Sequence, residues 1–366
     1  MTPSRRVSLP WFANPAARLW TCAPAPADVQ VFHAGLAGYA PTPLTELHAL
    51  AAELGVGRVY VKDESSRLGL PAFKALGASW AIHRALSRRP AGARVRLVTA
   101  TDGNHGRAVA RTARLLGHRA DVFVPDGVHE AAIDAIIAEG ARVSRVRGTY
   151  DEAVRRAAET SAADPGAVLV QDTAWPGYEQ IPAWIVEGYS TLFAEIDAQL
   201  SGVGPPGLVV VPAGVGSLAQ AAVTHYRGHP PATAPALLAV EPGTAACVQA
   251  SLVAGRPVGV ATGVTIMAGL NCGSVSSLAW PVLRDGLDAA VAVTDADSAA
   301  AARDLAAFGV SSGPCGAASL AGVRAALTGD GATGRRTALA VGRHTTVVLL
   351  STEGAAANPY TFDATP

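Results

Sequence analysis

Short apolar segments alternate along the chain with longer alanine-rich segments of helical period. The apolar segments are rich in valine and show no polar face. Seven of them are predicted as strands, at residues 95–100, 120–125, 168–171, 207–212, 237–241, 289–294 and 345–351. Strand-helix alternation of this kind predicts an α/β protein with a mostly parallel sheet covered by helices on both faces. The first forty residues contain five prolines and little periodicity up to Tyr39, which predicts an extended arm.

The length and composition of the chain allow two domains. Its 366 residues are 49% hydrophobic, which is enough apolar material for two sizeable cores. Stretches rich in glycine and proline at residues 89–92 and 164–166 interrupt the alternation and are typical of domain boundaries. We therefore predict a small domain over residues 90–167 and a large domain formed by residues 1–89 and 168–366.

The charge balance and the short apolar runs limit the partners and the location. The chain carries 29 basic and 29 acidic residues without a long run of like charge, so a small-molecule partner is favoured over nucleic acid or an anionic membrane. No apolar stretch approaches the roughly 20 residues that span a bilayer. Since the N-terminus also lacks the apolar core of a signal peptide, we predict a cytoplasmic protein.

The four cysteines follow no metal-binding pattern. Cys22, Cys247, Cys272 and Cys315 are widely spaced and form no C-x-x-C motif, so no metal site is expected. A cytoplasmic location favours free thiols, although Cys247 and Cys272 could approach one another in the fold.

Lysine is rare in this chain, and one lysine position suggests chemistry. Only two of the 29 basic residues are lysines, Lys62 and Lys74, and Lys74 lies in the small-residue segment 72–79 that opens a predicted helix. Arginine can replace lysine as a surface cation. It cannot replace the neutral amine that attacks an aldehyde, because the guanidinium stays protonated. A covalent role for Lys74 and an ordinary solvated lysine at a helix start explain this pattern equally well.

A glycine-rich turn follows the predicted strand 207–212. Residues 212–218 read Pro-Ala-Gly-Val-Gly-Ser-Leu and lead into a helix, so N–H groups at the positive helix end could hold a phosphate monoester. The motif lacks the lysine of a Walker loop, and Ala219 stands where a dinucleotide fingerprint has its third glycine. Glycines needed only for a tight turn are an equal alternative.

Polar side chains follow two other predicted strands. The turn 101–106, Thr-Asp-Gly-Asn-His-Gly, could bring Asn104 against a ring oxygen and Asp102 against a substrate proton. Asp172 follows the strand 168–171 in the same way. Helix capping would explain one polar residue of the first turn, and an ordinary turn residue is the more common explanation for Asp172.

Taken together, these segments resemble the fold-type II enzymes that use pyridoxal 5'-phosphate (PLP). Within this group the similarity to the diaminopropionate ammonia-lyases is close, because Asp102 and the stretch 171–175 are particular to them. The resemblance covers most of the chain and is carried by residues 38–44, 61–67, 72–74, 101–106, 171–178, 265–270 and 351–354. It implies two lobes, each with a mostly parallel twisted sheet flanked by helices, and PLP bound by the large domain in the cleft between them.

The resemblance also implies roles for individual residues. Lys74 is expected to bind the PLP aldehyde covalently and later to carry protons, while Asn104 bonds the ring oxygen. Ser351 is expected to offer its hydroxyl to the pyridine nitrogen, with Thr352 as the neighbouring choice. The expected cofactor-binding residues are Lys74, Phe73, Asn104, Gly214, Val215, Gly216, Ser217, Leu218 and Ser351.

The implied activity is α,β-elimination of 2,3-diaminopropionate to pyruvate and two ammonia. The D- and L-isomers present their Cα–H bonds on opposite faces of the cofactor plane, and the resemblance assigns Asp102 to the D-isomer and Asp172 to the L-isomer. A homodimer is expected by resemblance. The alternatives are a serine or threonine dehydratase, a β-replacement enzyme acting on another β-substituted amino acid, and a PLP-binding protein without turnover.

One segment departs from the pattern of this family. Within residues 312–317, Pro314 stands where the relatives carry the glutamate of a Gly-Glu-Ser-Gly run. A carboxylate near the cofactor ring is therefore expected to be missing, and proline also removes a backbone donor. This departure concerns the identity of the substrate more than that of the cofactor.

Overall fold

The computed structural model describes residues 11–90 and 92–357. These residues form two β-sheets flanked by helices. The strands are β1 (Trp11–Ala13), β2 (Leu44–Glu46), β3 (Arg58–Asp63), β4 (Arg96–Ala100), β5 (Arg119–Val124), β6 (Arg142–Arg145), β7 (Ala167–Leu169), β8 (Leu208–Pro212), β9 (Ala236–Pro242), β10 (Ala289–Val293) and β11 (Thr346–Ser351). The α-helices are α1 (Asp28–Ala34), α2 (His48–Leu54), α3 (Lys74–Leu86), α4 (Asn104–Leu115), α5 (Glu130–Ala138), α6 (Tyr150–Ala162), α7 (Gln180–Gln199), α8 (Ser217–Arg227), α9 (Cys247–Ala254), α10 (Ala279–Gly286), α11 (Asp295–Ala307), α12 (Pro314–Leu327) and α13 (Ala332–Leu339).

Both sheets are mainly parallel. The larger sheet has the order β1-β10-β9-β8-β11-β3-β2, in which only the edge strands β1 and β2 pair antiparallel. The smaller sheet has the order β6-β5-β4-β7 and is parallel throughout. Each of the seven predicted strands is present within two residues of its expected ends. The predicted α/β fold class is confirmed, because the central strands are buried on both faces and therefore read as continuous apolar runs.

The hydrophobic pattern does not predict β1, β2, β3 or β6. Three residues are too few to show a period, and β1 and β2 have that length. β6 lies at a sheet edge and both begins and ends with arginine, which is common where an edge strand meets solvent. β3 contains a lysine and an aspartate, whose partners only the folded structure supplies.

The prediction of an extended N-terminal arm is wrong for the part that the structure describes, while residues 1–10 lie outside the described residues. β1 pairs with β10 as an edge strand of the larger sheet. α1 buries Val29 and His33 and packs against α3 and α7. Both elements are too short to show a clear period, and they are stabilised by tertiary contacts.

The smaller sheet is formed by residues between Arg96 and Leu169. Its last strand, β7, crosses the boundary expected between residues 167 and 168. Helix α3 packs against α7 and also against α4, which covers the smaller sheet. The division into a small domain of residues 90–167 and a large domain from the remainder stays a prediction.

Lys62 belongs to a buried ion-pair cluster and not to a reactive site. Its ammonium donates to the Glu195 carboxylate at 2.7 Å and to the Thr42 carbonyl oxygen at 2.8 Å. The guanidinium of Arg67 also donates to Glu195, at 2.6 Å, and to Glu64, at 2.7 Å. Lys62, Arg67 and Glu64 are fully buried, so this cluster attaches the segment around β3 to helix α7.

Replacement of Glu195 by alanine should therefore destabilise the protein strongly. The variant leaves two buried cations without a shared carboxylate, and breaking a buried pair from one side typically costs about 3–5 kcal/mol. Urea unfolding measures the change. Glu159→Ala is the matched control, because Glu159 pairs with Arg155 on the exposed face of α6 and its loss should cost less than about 1 kcal/mol. Equal effects of the two substitutions would contradict the structural role of the cluster.

Candidate active site

Strands from both sheets end around one cavity of about 360 Å³. β4 leads into Asp102, β8 leads into the glycine turn, and β11 leads into Thr352. Parallel strands bring their carboxyl ends to the same edge, where α/β proteins bind ligands. The three predicted catalytic residues and all predicted cofactor-binding residues except Ser351 line this cavity.

Lys74 is the first residue of α3 and forms an ion pair in the cavity. Its Nζ lies 2.6 Å from Oδ2 of Asp172 and 5.3 Å from the centre of the Phe73 ring. Burial lowers the pKa of Lys74, but the Asp172 carboxylate more than offsets burial and holds the pKa above its ordinary range. Burial likewise raises the pKa of Asp172, yet Lys74 and His105 bring it below its usual value. Without a bound cofactor, the two side chains therefore form an ammonium-carboxylate pair.

Asp102 differs from Asp172 in its electrostatic environment. Burial raises the pKa of Asp102 to about 6, since the neighbouring Lys74 ammonium lowers it only in part and the Asp172 and Glu353 carboxylates raise it further. Two carboxylates in one cavity therefore have their pKa values displaced in opposite directions. Such a pair is typical of proton-transfer sites.

A third carboxylate, Glu353, lies in the same cavity. Oε2 of Glu353 accepts a hydrogen bond of 2.5 Å from Nδ2 of Asn104, and Oε1 accepts one of 3.2 Å from the backbone N–H of Cys315. The carboxylate thus lies at the N-terminal end of α12, where the helix dipole favours negative charge. Sequence reasoning missed this role of Glu353, although the residue belongs to the segment 351–354.

The structure shows how Pro314 is accommodated, while the expectation of a missing carboxylate at this residue stays a prediction. Pro314 occupies the first turn of α12, where a backbone N–H has no partner within the helix, so proline is tolerated there. Pro314 is absent from the cavity lining, whereas Cys315 and Glu353 belong to it. The cavity therefore contains one carboxylate beside Asn104, that of Glu353.

The glycine turn before α8 is packed too tightly for side chains at residues 214 and 216. Gly216 caps the helix with φ of +97°, and a Cβ at this residue would lie 2.7 Å from a methyl carbon of Leu283. A Cβ at Gly214 would lie 3.0 Å from the sulfur of Cys272. The first N–H groups of a helix have no intrahelical acceptor, and they attract phosphate. The turn therefore has the geometry of an anion cradle.

Replacement of Gly216 by alanine should weaken PLP binding at least tenfold. Residue 216 has a left-handed backbone, which a residue with a Cβ disfavours, and the new Cβ would also collide with Leu283. The amides of the turn should therefore move. A loss of about 1.4 kcal/mol in binding free energy corresponds to a tenfold loss of affinity. Spectroscopic titration of the protein with PLP measures the affinity. Gly204→Ala is the control, because Gly204 has φ of +107° with nothing within 4 Å of an added Cβ. A Gly216 variant that binds PLP as tightly as the control would exclude the cradle.

The two candidate hydroxyls at the end of β11 differ in position. Oγ of Ser351 donates to Oγ of Ser312 at 2.9 Å, and Ser351 is fully buried outside the cavity lining. Thr352 lines the cavity. The geometry therefore favours Thr352, the neighbouring choice, as the hydroxyl that reaches a ligand.

His105 is a further residue at the site. Nε2 of His105 donates to the carbonyl oxygen of Val170 at 2.7 Å, and burial lowers the pKa of the imidazole. Nδ1 has no hydrogen-bond partner among residues 11–90 and 92–357, and it lies 3.9 Å from Oδ2 of Asp172. The Asn-His pair of the sequence was the signal for this residue.

The cysteines contribute thiols and no disulfide to the described structure. All four cysteines are free, and burial raises the pKa of both Cys247 and Cys272. Within the described residues, no group of three or more metal-ligating side chains could hold a metal ion.

Comparison with known proteins identifies the family. Residues 36–342 match the family described as pyridoxal-phosphate dependent enzyme. The chain belongs to this family. Diaminopropionate ammonia-lyase of Salmonella typhimurium is 39% identical over 293 residues, which are 73% of this chain and 72% of that protein. The Escherichia coli protein of the same name is 36% identical over 346 residues, or 88% of this chain and 86% of the relative.

A solved structure agrees with this family membership. The crystal structure of Escherichia coli diaminopropionate ammonia lyase, in complex with an aminoacrylate-PLP azomethine reaction intermediate, superposes with a TM-score of 0.86 at 33% identity and covers 95% of both chains. The predicted fold-type II architecture and the predicted PLP cofactor are confirmed.

The described residues fit PLP. An amine, Lys74, reaches the cavity, and the glycine turn brings the N-terminal end of α8 to the same cavity. The cavity volume of about 360 Å³ lies within the range of cofactor sites. Lys74 would hold the aldehyde, residues 214–218 the phosphate, and Asn104 the ring oxygen.

Proposed function

We propose that this protein eliminates ammonia from 2,3-diaminopropionate, giving pyruvate and two ammonia, with D- and L-isomers as substrates. The observation that carries this proposal is the position of two carboxylates, Asp102 and Asp172, in one cavity with Lys74. A single base would serve one isomer, because a Cα–H bond must stand perpendicular to the cofactor plane on one face or the other. Curated relatives with 36–39% identity carry the corresponding name.

PLP supplies an aldehyde that binds the substrate amine covalently and a ring system that accepts the electrons released at Cα. The chain supplies the positioning and the proton transfers. Asn104 is held by Glu353, so its second N–H remains available to the ring oxygen. The hydroxyl of Thr352 would face the pyridine nitrogen and leave it largely unprotonated.

The two aspartates act as the bases in this proposal. Asp102 removes the Cα proton of the D-isomer, and Asp172 removes that of the L-isomer. The β-amine leaves as ammonia only after it has received a proton, and Lys74 is the cationic donor nearest to Asp172, at 2.6 Å. General acid-base catalysis of this kind contributes about 10²–10⁴ in rate.

Incubation of the purified protein and PLP with each enantiomer of diaminopropionate, serine and threonine tests the proposed function. We expect pyruvate from both diaminopropionate enantiomers at a higher kcat/KM than from serine. Faster release of pyruvate from serine, or of 2-oxobutyrate from threonine, would instead support a dehydratase. PLP absorbance without any keto-acid product would support a binding protein without turnover.

The pH dependence of turnover should differ between the two enantiomers. A general base must be deprotonated, so kcat/KM for the D-isomer should fall as the pH decreases through about 6, the pKa of Asp102. Turnover of the L-isomer should persist to lower pH, because Lys74 holds the pKa of Asp172 below its ordinary value. Profiles of kcat/KM from about pH 5 to about 8 should show the acidic limb for the D-isomer and no matching loss for the L-isomer. If kcat/KM for both enantiomers fell over the same pH range, the assignment of one base to each enantiomer would be contradicted.

The quaternary state and the cellular location are proposed separately from the activity. We propose a cytoplasmic protein that forms a homodimer, and light scattering of the purified protein would test the dimer. Among the described residues, no helix is long and apolar enough to cross a membrane.

A further inference from the structure

Tyr150 lies against Asp172 and has no role in the chemistry described above. It is the first residue of α6, and its side chain lines the cavity. The Tyr150 hydroxyl donates to Oδ1 of Asp172 at 3.3 Å and accepts a hydrogen bond of 2.7 Å from Nε2 of Gln171. The tyrosine therefore links the end of the smaller sheet to one of the two carboxylates.

The direction of this hydrogen bond is determined by the backbone. Oε1 of Gln171 accepts from the Ala100 N–H at 2.9 Å and from the Thr99 hydroxyl at 3.2 Å. An N–H group can only donate, so the oxygen of the Gln171 amide must face β4 and its nitrogen must face Tyr150. Because the Tyr150 oxygen accepts a hydrogen bond from the Gln171 amide, its own O–H is directed to Asp172.

The two oxygens of Asp172 consequently have separate partners. Oδ1 accepts from the Tyr150 hydroxyl at 3.3 Å and from Nε2 of Gln171 at 3.4 Å, while Oδ2 lies 2.6 Å from Nζ of Lys74, the atom that marks the reacting centre. A donor on Oδ1 stabilises the ionised carboxylate and orients Oδ2 toward that centre. No hydrogen bond within the described part of the chain joins Tyr150 to Asp102.

We propose that Tyr150 is a positioning residue that acts through Asp172 and thereby sets the ratio of L- to D-isomer turnover. This inference rests on the proposed function, in which Asp172 serves the L-isomer. Tyr150 orients one base and has no bond to the other. Its removal should therefore affect the two enantiomers unequally, whereas a merely structural residue would affect both alike.

The test is Tyr150→Phe, which removes the hydroxyl and keeps the ring. The ratio of kcat/KM for the L-isomer to that for the D-isomer should fall about tenfold or more, the effect expected for one hydrogen bond to a charged group. PLP affinity, measured by absorbance titration, should change less than about twofold, since Tyr150 is not a proposed ligand of the cofactor.

Tyr178→Phe is the matched control. The Tyr178 hydroxyl accepts from the Gln171 N–H at 2.8 Å and donates to the Leu169 carbonyl oxygen at 2.9 Å, so it supports the same segment without contacting Asp172. This control should leave the L/D ratio within about twofold of the wild type. A ratio as low as that of Tyr150→Phe would show that loosening the segment is sufficient, and would overturn the inference.

Gln171→Glu gives an independent check. A carboxylate at this residue still accepts from Ala100 but no longer donates, so the Tyr150 proton turns toward it and away from Asp172. The L/D ratio should fall as in Tyr150→Phe.

Equal losses for both enantiomers, or a strong loss of PLP affinity in Tyr150→Phe, would overturn the inference. Wild-type protein that releases pyruvate from neither enantiomer would overturn the proposed function and the inference with it.

Discussion

Replacement of Lys74 by arginine should abolish pyruvate release and the covalent attachment of PLP. Arginine keeps the positive charge beside Asp172 and the contact with the Phe73 ring, so the ion pair and the fold should persist. It cannot become the neutral amine that attacks an aldehyde, and it cannot return a proton, because the guanidinium remains protonated. Loss of the proton transfer alone should lower kcat by about 10²–10⁴.

Borohydride reduction followed by peptide mass spectrometry measures this attachment directly. The chain contains only two lysines, so the wild-type protein should carry reduced PLP on the Lys74 peptide and not on the Lys62 peptide. Lys62 is fully buried, and its ammonium is already bonded to Glu195 and Thr42. Label on Lys62, or full turnover by Lys74→Arg, would remove the starting point of the mechanism.

Asp102→Asn should abolish turnover of D-diaminopropionate while much of the L-isomer activity remains, and Asp172→Asn should have the reverse preference. Asparagine matches aspartate in size but cannot take up a proton, so each variant loses one base. The expected loss for the matching enantiomer is about 10²–10⁴ in kcat/KM. Asp172→Asn also removes the partner of Lys74, so we expect a smaller accompanying loss for the D-isomer as well.

Asp126→Asn is the control for this pair. Asp126 lines the same cavity, but its carboxylate accepts from the backbone N–H of Gly148 at the exposed side. Its variant should change both enantiomers by the same small factor. A coupled assay of pyruvate with each enantiomer gives the ratio of L- to D-isomer turnover for the wild type and for the three variants. Equal losses for both enantiomers in Asp102→Asn would exclude the assignment of one base to each face.

The sequence predicts the strands and the site segments better than it predicts the contacts between them. Buried parallel strands are apolar on both faces, so their runs are visible without neighbours. The turns after β4 and β7 lie together because these strands are parallel neighbours in the smaller sheet. The turn after β8 belongs to the larger sheet, and only the packing of the two sheets brings it to the same cavity. Helix α1 and strand β1 are too short for a period, so their positions depend on the packing partners that the fold supplies.

The sequence by itself supplied the candidate groups of the site: an amine at residue 74 at the start of a helix, aspartates at residues 102 and 172 after two strands, and a glycine turn before α8. Each of these features is a residue type or a short local motif, so it can be recognised without knowing which other segments lie nearby. Only the tertiary structure decided that Thr352 and not Ser351 reaches the cavity, that Glu353 bonds to Asn104, and that Tyr150 bonds to Asp172 and, within the described residues, not to Asp102. Asn104 and Glu353 are far apart in the chain, and the hydroxyl of Tyr150 meets Asp172 only because packing sets the direction of its side chain. No local sequence pattern predicts contacts of this kind.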